Sequence, residues 1–391
     1  MASSQGDATR DVDVIVVGAG VLGTFHAYFA AQRGMRVLLL ERNAFPNDAS
    51  VRNFGMLLQT IVETDSEWAG YAHTSRALYR QFQREVDLGV RQSGALYIAS
   101  TETERQVLRE FADRFASIYP CQFLNASEPL ARCPTIVPTY CAGGLLFPDD
   151  LTAEPRLLLR ALIPHLVAQG AFHYQPHTIV TTVERAGSRC FVTDHRGETY
   201  SAERVFVCSG ADYRLLFPEQ LRASGLRVCK LQMMRTAPQP ERVLPHAILS
   251  GLSILRYPAF RACPSYAALE AQPVDATLRE FGVHLLFKQA DDGTVIIGDS
   301  HEYRPLDEAA TLDETTNPLI NEAILAYAQR VLDLPVWRLQ ALWNGYYLTH
   351  PDCNVYTETI DGAIHIATGI GGKGMSTGPG FAQAHVAAIL G

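Results

Sequence analysis

The sequence predicts an α/β plus α+β architecture: a Rossmann-like half, joined to a second domain built on a mainly antiparallel sheet. Three observations carry that reading. Residues 11–23 pass from an apolar strand through a glycine turn into a helix. Residues 228–300 shift to short strands interrupted by prolines. The chain then closes on a second glycine loop that opens a last helix.

The opening run, Asp11-Val12-Asp13-Val14-Ile15-Val16-Val17-Gly18-Ala19-Gly20-Val21-Leu22-Gly23, describes one physical object. Gly18 permits the tight turn, Gly20 lets backbone approach a pyrophosphate, and Gly23 lets helix and strand pack closely. The phosphates then sit at Gly20, Val21 and Leu22, on unpaired N–H groups at the positive end of the helix dipole. A second apolar strand, residues 36–40, ends in Glu41 about twenty residues on, where a carboxylate takes ribose hydroxyls.

Residues 49–56 form a loop too polar for a strand and too glycine-bearing for a helix. Residues 66–88 read as a helix, with Trp68, Tyr71, Leu78 and Phe82 at helical spacing. A strand at 94–99 and a helix at 102–118 follow. Pro129, Pro134, Pro138 and Pro148 then mark a long irregular connection. Residues 157–169 read as a helix ending at Gly170, and 178–184, 189–193 and 204–208 as strands. The last of these runs into Ser209-Gly210-Ala211-Asp212, another strand-to-glycine turn. The end of the chain reads as a strand (363–368), a glycine loop and a helix (375–390).

Bulk properties narrow the function. With 391 residues and 47% apolar content the chain can bury a real core. A net charge of −8 argues against general nucleic-acid binding. The eight cysteines form no CxxC pair and no zinc-ligand spacing, so no metal is expected and a reducing, cytoplasmic setting is the simplest inference. No apolar stretch reaches the eighteen or so residues of a membrane span, and no membrane partner is expected. Residues 1–10 are polar and read as a flexible tail.

Gly369-Ile370-Gly371-Gly372-Lys373-Gly374 also matches the glycine fingerprint, but the chain ends at Gly391, too soon for the second strand and ribose acid of another dinucleotide unit. A loop that opens a helix instead aims the amides near Gly374, Met375 and Ser376 at an anionic group. In a flavoprotein that group is the N1/C2=O edge of the reduced ring. Lys373 beside it is the candidate for stabilising that charge.

The glycine box with Glu41, the loop at 50–56, Cys208-Ser209-Gly210-Ala211-Asp212, Trp343-Asn344-Gly345-Tyr346 with His350-Pro351-Asp352, and Thr368-Gly369-Ile370-Gly371-Gly372 together resemble the D-amino-acid oxidase/glycine oxidase/sarcosine oxidase (DAO) superfamily. The resemblance covers nearly the whole chain. More narrowly, Ser50-Val51-Arg52-Asn53-Phe54-Gly55-Met56 and Ile297-Gly298-Asp299-Ser300-His301-Glu302-Tyr303 resemble FAD-dependent oxidoreductases associated with bacterial phosphonate catabolism.

The resemblance implies a glutathione-reductase-type FAD-binding domain, discontinuous over 11–90, 150–226 and 335–391, and a substrate domain over 91–149 and 227–334. FAD lies extended, its pyrophosphate on Gly18, Gly20 and Gly23 and its ribose on Glu41, with Arg42 flanking the adenine. Ala49, Ser50, Asn53, Gly55 and Met56 run along the flavin. Val183, Ser209 and Gly210 contact the adenine half, and Gly345, Gly371, Gly372, Lys373, Gly374, Met375 and Ser376 the ring. The implied chemistry is oxidation of a C–H bond next to an amine nitrogen. A neutral amine delivers hydride to flavin N5, and the resulting imine is hydrolysed to a carbonyl compound plus ammonia or an amine. Positioning and electrostatics supply most of such catalysis, so no protein base is assigned.

A substrate with an anionic tail needs cations. Arg52, Arg256 and Lys288 are the substrate-binding candidates, with Lys230, Arg235 and Lys373 as further cations. His301, Tyr346, His350 and Tyr257, the last beside Arg256 on an expected strand, are the polar partners. Trp343 and the Met233-Met234 pair read as core or pocket wall. Two departures matter. Ile296 stands where sarcosine-oxidase-type enzymes carry an oxygen-activating lysine, and Cys353 lies in surroundings unlike those of a flavin-linking cysteine, so the FAD is expected to be non-covalent. The favoured substrate is an aminoalkylphosphonate or its N-methyl form, oxidised with O2 or another acceptor by a monomer or small homo-oligomer. The alternatives are a carboxylate substrate (glycine, sarcosine or a D-amino acid) and an FAD-binding protein without turnover.

Overall fold

Val14–Val17 is buried along its whole length and has hydrogen-bonded neighbours on both sides, the setting of an apolar run without alternation. It lies inside a six-stranded sheet of order Tyr356–Ile360, Ile364–Thr368, Arg204–Val207, Val14–Val17, Val37–Leu40, His173–Gln175. Every pairing is parallel except that of the first two strands. The structure, a computed structural model, describes residues 10–391, so the expected tail lies, Arg10 apart, outside the described residues.

The helix Val21–Gln32 starts where expected. Gly18 takes φ +92°, and a Cβ there would stand 2.4 Å from the Cys208 carbonyl oxygen. A Cβ on Gly23 would stand 1.8 Å from the Gly18 carbonyl oxygen, so only glycine lets the helix lie this close to its own turn. Val180–Ala186, Arg189–Asp194 and Thr199–Ala202 form a separate three-stranded antiparallel sheet.

The second large sheet has nine strands, all but one of its pairings antiparallel. Its spine is the long pair Arg227–Thr236 and Leu339–Thr349, in register over almost their whole length. Leu339–Thr349, placed by sequence with the nucleotide-binding segments, therefore belongs by pairing to this sheet.

Two sequence expectations are corrected. The connection at 129–148 is not irregular: it holds the helix Ser127–Arg132 and the strand Gly143–Phe147, which enters the nine-stranded sheet. Its prolines sit at boundaries, Pro129 early in the helix, Pro138 opening a 3-10 turn and Pro148 after the strand, so they punctuate elements without breaking them. Residues 228–300 also carry short helices, and Tyr257 caps the C-terminus of one, Gly251–Arg256, and does not lie on a strand.

The closing helix Gly374–Leu390 packs against both Val21–Gln32 and Glu67–Glu85. A Cβ on Gly380 would stand 2.3 Å from the Tyr71 carbonyl oxygen, and Gly380 N–H donates to Ser75 Oγ at 2.9 Å. No helix among the described residues is long and apolar enough to cross a membrane.

Three histidines gather where this helix meets the six-stranded sheet. His26 Nδ1 donates to the Leu22 carbonyl oxygen at 2.7 Å, and His26 Nε2 faces His385 Nδ1 at 2.9 Å. His365 packs on the other side of Phe206. Burial and mutual repulsion pull His26 down to about 3, and burial above all pulls His365 and His385 to about 4, from an ordinary value of 6.5. The unfolded chain therefore binds more protons than the folded one below that value. The stability these histidines contribute is complete above pH 6.5 and is lost as pH falls toward the folded-state values, by about 1.4 kcal/mol per pH unit for each proton taken up on unfolding. Melting temperature measured across that range should fall on acidification, and less steeply in a His26→Asn variant.

Candidate active site

The amino-terminal glycine turn and the carboxy-terminal glycine loop open into one cleft. Its wider part, about 380 Å³, is lined by residues of both, from Gly20, Val21 and Leu22 to Gly369–Met375. A narrower arm of about 100 Å³ continues past Gly18 to Glu41 and Arg42. Gly20, Ala49, Ser50, Cys208 and Gly210 line both parts.

In the narrow arm the Glu41 carboxylate accepts from Ala19 N–H at 3.0 Å and Asn43 N–H at 2.9 Å, which holds the acid against the glycine turn. Arg42 bridges Asp48 and Asp212 at its mouth. Ser209 and Gly210 form the facing wall. Val21 N–H, the first free amide of the helix, donates to Ser50 Oγ at 3.0 Å. In the wide part, Asn53, Gly55, Met56 and Gly345 line one side, and Gly371, Gly372, Lys373, Gly374 and Met375 another. Burial draws the Lys373 ammonium below the ordinary lysine value, an effect the Glu63 charge opposes.

Three of the expected cofactor residues stand outside this lining. Gly23 serves helix packing only. Val183 is in the core of the three-stranded sheet, and the strand meets the cleft three residues earlier, at Val180. Ser376 points the other way: its Oγ accepts from Leu58 N–H at 3.0 Å and ties the closing helix to the strand Met56–Leu57.

Of the expected substrate residues, Arg52, Arg256, Tyr257, His301 and Tyr346 line the wide part. Arg52 and Tyr346 are held by the Asn47 and Asp313 carbonyl oxygens. Lys288 and His350 do not line it. Lys288 Nζ donates to the Ala153 carbonyl oxygen at 2.6 Å, and burial takes it to about 8. His350 Nε2 donates to the Ser224 carbonyl oxygen, closing a surface turn. Of the further cations Lys373 lines the wide part, while Lys230 is engaged with the Thr315 carbonyl oxygen and Arg235 with Asp292. In each case outside the lining, a nearby acceptor takes the side chain's N–H, which sequence spacing cannot show.

Arg256 ends the helix Gly251–Arg256, and its Nη2 donates to Tyr303 Oη at 2.8 Å. Among the described residues no carboxylate lies within ion-pair distance of its guanidinium. Burial alone would lower its pKa, but Tyr303, Tyr347 and Asp299 more than offset that and hold the cation charged. Burial likewise raises the phenols of Tyr257, Tyr303 and Tyr347, which stay protonated.

Residues that the sequence reading passed over complete the wall: His284, Asp299, Tyr303 and Tyr347. The two imidazoles, His284 and His301, stack at 5.2 Å and 27°. His284 Nε2 lies 3.1 Å from Asp299 Oδ1 and His301 Nε2 3.8 Å from Oδ2. The set has donors close enough, within 4.8 Å of one another, for a metal ion. Asp299 and Tyr303 lie inside a motif used for the resemblance, but a search for cations looks past a carboxylate.

Over 211 residues the chain is 31% identical to a glycine oxidase of Geobacillus kaustophilus, covering 52% of this chain and 55% of that protein. It is 24% identical over 304 residues to one of the subunits of an opine oxidase of Rhizobium meliloti, covering 75% and 71%. The alignments with the glycine oxidase and with a bifunctional MnmC protein of Ectopseudomonas mendocina span about half and under a third of those relatives (55% and 30%). The crystal structure of the Geobacillus kaustophilus glycine oxidase superposes with a TM-score of 0.77 at 20% identity, over 98% of this chain and 95% of that one. That of L-proline dehydrogenase from P. horikoshii gives 0.76 at 17%, over 97% and 93%.

The cleft suits an extended dinucleotide: a carboxylate at one end, helix amides midway, and a second helix start with a lysine at the other. At Gly20 an added Cβ would meet only Ser50 Oγ, at 3.2 Å, so the approach is open but narrow. A Gly20→Val variant should fold, by circular dichroism, and lose most of its FAD on purification, read from the ratio of visible to ultraviolet absorbance. Residues 13–388 match the family described as FAD dependent oxidoreductase (DAO); the chain belongs to that family, and FAD is its cofactor.

Proposed function

We propose that this protein oxidises a small amine that carries an anionic tail, with 2-aminoethylphosphonate or its N-methyl form as the favoured substrate and phosphonoacetaldehyde as product. The observation that carries the reading is Arg256: a half-buried arginine that lines the cavity, with no carboxylate among the described residues paired to its guanidinium and three protonated phenols around it. A charge in that state is stabilised by an anion that brings its own oxygens, and the planar fork suits phosphonate or carboxylate.

FAD, when bound, supplies the hydride acceptor. The chain's own residues do the rest. Arg256, with Tyr303 beside it, grips the tail. Leu231, Leu286 and Met56 wall the cavity and keep water from the reacting carbon. Lys373 and the amides that open the closing helix put positive charge beside the ring edge. The amine's C–H bond breaks with its electron pair leaving as hydride, the nitrogen lone pair forms the C=N bond, and water then hydrolyses the imine to aldehyde plus ammonia or methylamine. Electrons leave to O2 or another acceptor.

We also propose that the FAD is held without a covalent link. Among the described residues the cysteine lining the cleft is Cys208, a fully buried thiol. All eight cysteines are unpaired, which supports a reducing, cytoplasmic setting. A second reading keeps the chemistry and makes the tail a carboxylate, as the likeness to glycine oxidases favours.

Anaerobic mixing with each amine decides between them. The visible absorbance of the flavin should bleach with the aminophosphonates. Bleaching by glycine, sarcosine or D-alanine alone would establish the second reading, and no bleaching by any amine would leave a binding protein without turnover. Arg256→Met should raise KM roughly 30-fold or more, the loss of about 2 kcal/mol expected for a desolvated charge pair.

A further inference from the structure

Hydrogen bonding fixes the tautomer of one active-site histidine. His301 Nδ1 lies 3.2 Å from the Gly282 carbonyl oxygen, which can only accept, so the hydrogen is on Nδ1. Its Nε2 is then a bare lone pair, 3.8 Å from Asp299 Oδ2. His284 instead partners the carboxylate, its Nε2 hydrogen-bonded to Asp299 Oδ1 at 3.1 Å, while its Nδ1 lies 3.3 Å from Ser253 Oγ. Burial holds both imidazoles below their ordinary value, which favours these neutral forms.

Two acceptors, Asp299 Oδ2 and His301 Nε2, thus converge on one spot of the cavity wall with no donor between them. Buried acceptors in this state are costly until something with N–H groups or positive charge arrives. The neighbouring Arg256 gives one N–H to Tyr303, whose ring stacks on His301 at 6.1 Å, so cation and acceptors stand one aromatic ring apart.

Resting on the amine-oxidation reading above, we infer that Asp299, with His284 and His301, is the receptor for the substrate's ammonium group. The site thereby selects short zwitterions: Arg256 takes the tail, and the acceptor set takes the nitrogen and orients the adjoining carbon. A primary ammonium donates N–H groups to Asp299 Oδ2 and His301 Nε2, and one of its protons passes to this pair before the nitrogen lone pair is free to drive hydride departure. A dication would have to sit within the field of Arg256, which opposes it.

The test compares two ligands that cannot be oxidised. In 2-amino-2-methylpropylphosphonate the carbon bearing nitrogen has no hydrogen to give; in 2,2-dimethylpropylphosphonate a methyl replaces the ammonium. Calorimetry on the FAD-loaded enzyme should show the aminated ligand binding roughly tenfold or more tightly. Asp299→Asn should abolish that preference and leave affinity for the nitrogen-free ligand within about twofold, which also reports a folded site. Arg256→Met should weaken both ligands. If neither phosphonate binds, 2-amino-2-methylpropionate against 2,2-dimethylpropionate asks the same question of a carboxylate tail, so failure of the phosphonate reading is told apart from failure at the amine end. A preference that survives in Asp299→Asn, no preference in either ligand pair, or an equivalent of bound divalent metal that disappears in His301→Gln would each overturn the inference.

Discussion

The contact on which the rest depends is that of the last helix with the first. Gly374–Leu390 lies against Val21–Gln32 closely enough that a Cβ on Gly378 would stand 3.4 Å from Leu22, while Gly380 meets the backbone at Tyr71. Small residues at these crossings let backbones approach where larger side chains would force them apart. The consequence is functional as well as structural. Two loops more than three hundred positions apart in sequence become the two ends of one cleft, and neither alone presents amides to both ends of an extended dinucleotide.

The parts of the fold readable from sequence are those whose signal is local. The strand, turn and helix of residues 14–32 satisfy one backbone requirement after another, and Gly18, Gly20 and Gly23 are each explained by a single near neighbour. The strand Gly143–Phe147 was hidden because prolines flank it, and proline is a strong local mark that says nothing about which side of it the element lies. The ring-side loop at Gly369–Gly374 was legible for the same reason as the first: glycine before a helix has few other uses.

The substrate end was only half legible, and the cause is electrostatic. Candidate cations were sought by residue type, yet whether a cation is free depends on which acceptors the fold brings to it. Lys288 donates to one carbonyl at 2.6 Å, and Lys230 to another at 2.9 Å, both from segments distant in sequence. Arg256 is left over because the residues gathered around it are phenols. Asp299, by contrast, would read on sequence as one more acid of a surface turn. It becomes distinctive only when Val295–Gly298 carries it into a buried wall between two imidazoles, one its hydrogen-bond partner and the other a bare acceptor.

Amine oxidation by hydride departure requires reacting atoms at about 3–3.5 Å, a tolerance that loosely tethered domains cannot hold. The two sheets here are not loosely tethered. Leu339–Thr349, the long strand of the substrate sheet, ends in a bridge from Thr349 to Ile370, in the loop that opens the closing helix. A Cβ on Gly371 would stand 2.9 Å from Thr349 Oγ1, and one on Gly345 would stand 2.8 Å from Leu231 and 3.0 Å from the Arg52 carbonyl oxygen. The strand therefore touches the loop at 369–374 at one point and the loop at 49–56 at another. Its partner Arg227–Thr236 pairs in turn with Val295–Gly298, which leads directly into Asp299. Only two strand pairings separate Asp299 from the loop that opens the closing helix. Positional error between them is limited by backbone hydrogen bonds and not by side-chain packing, which is the more compliant of the two.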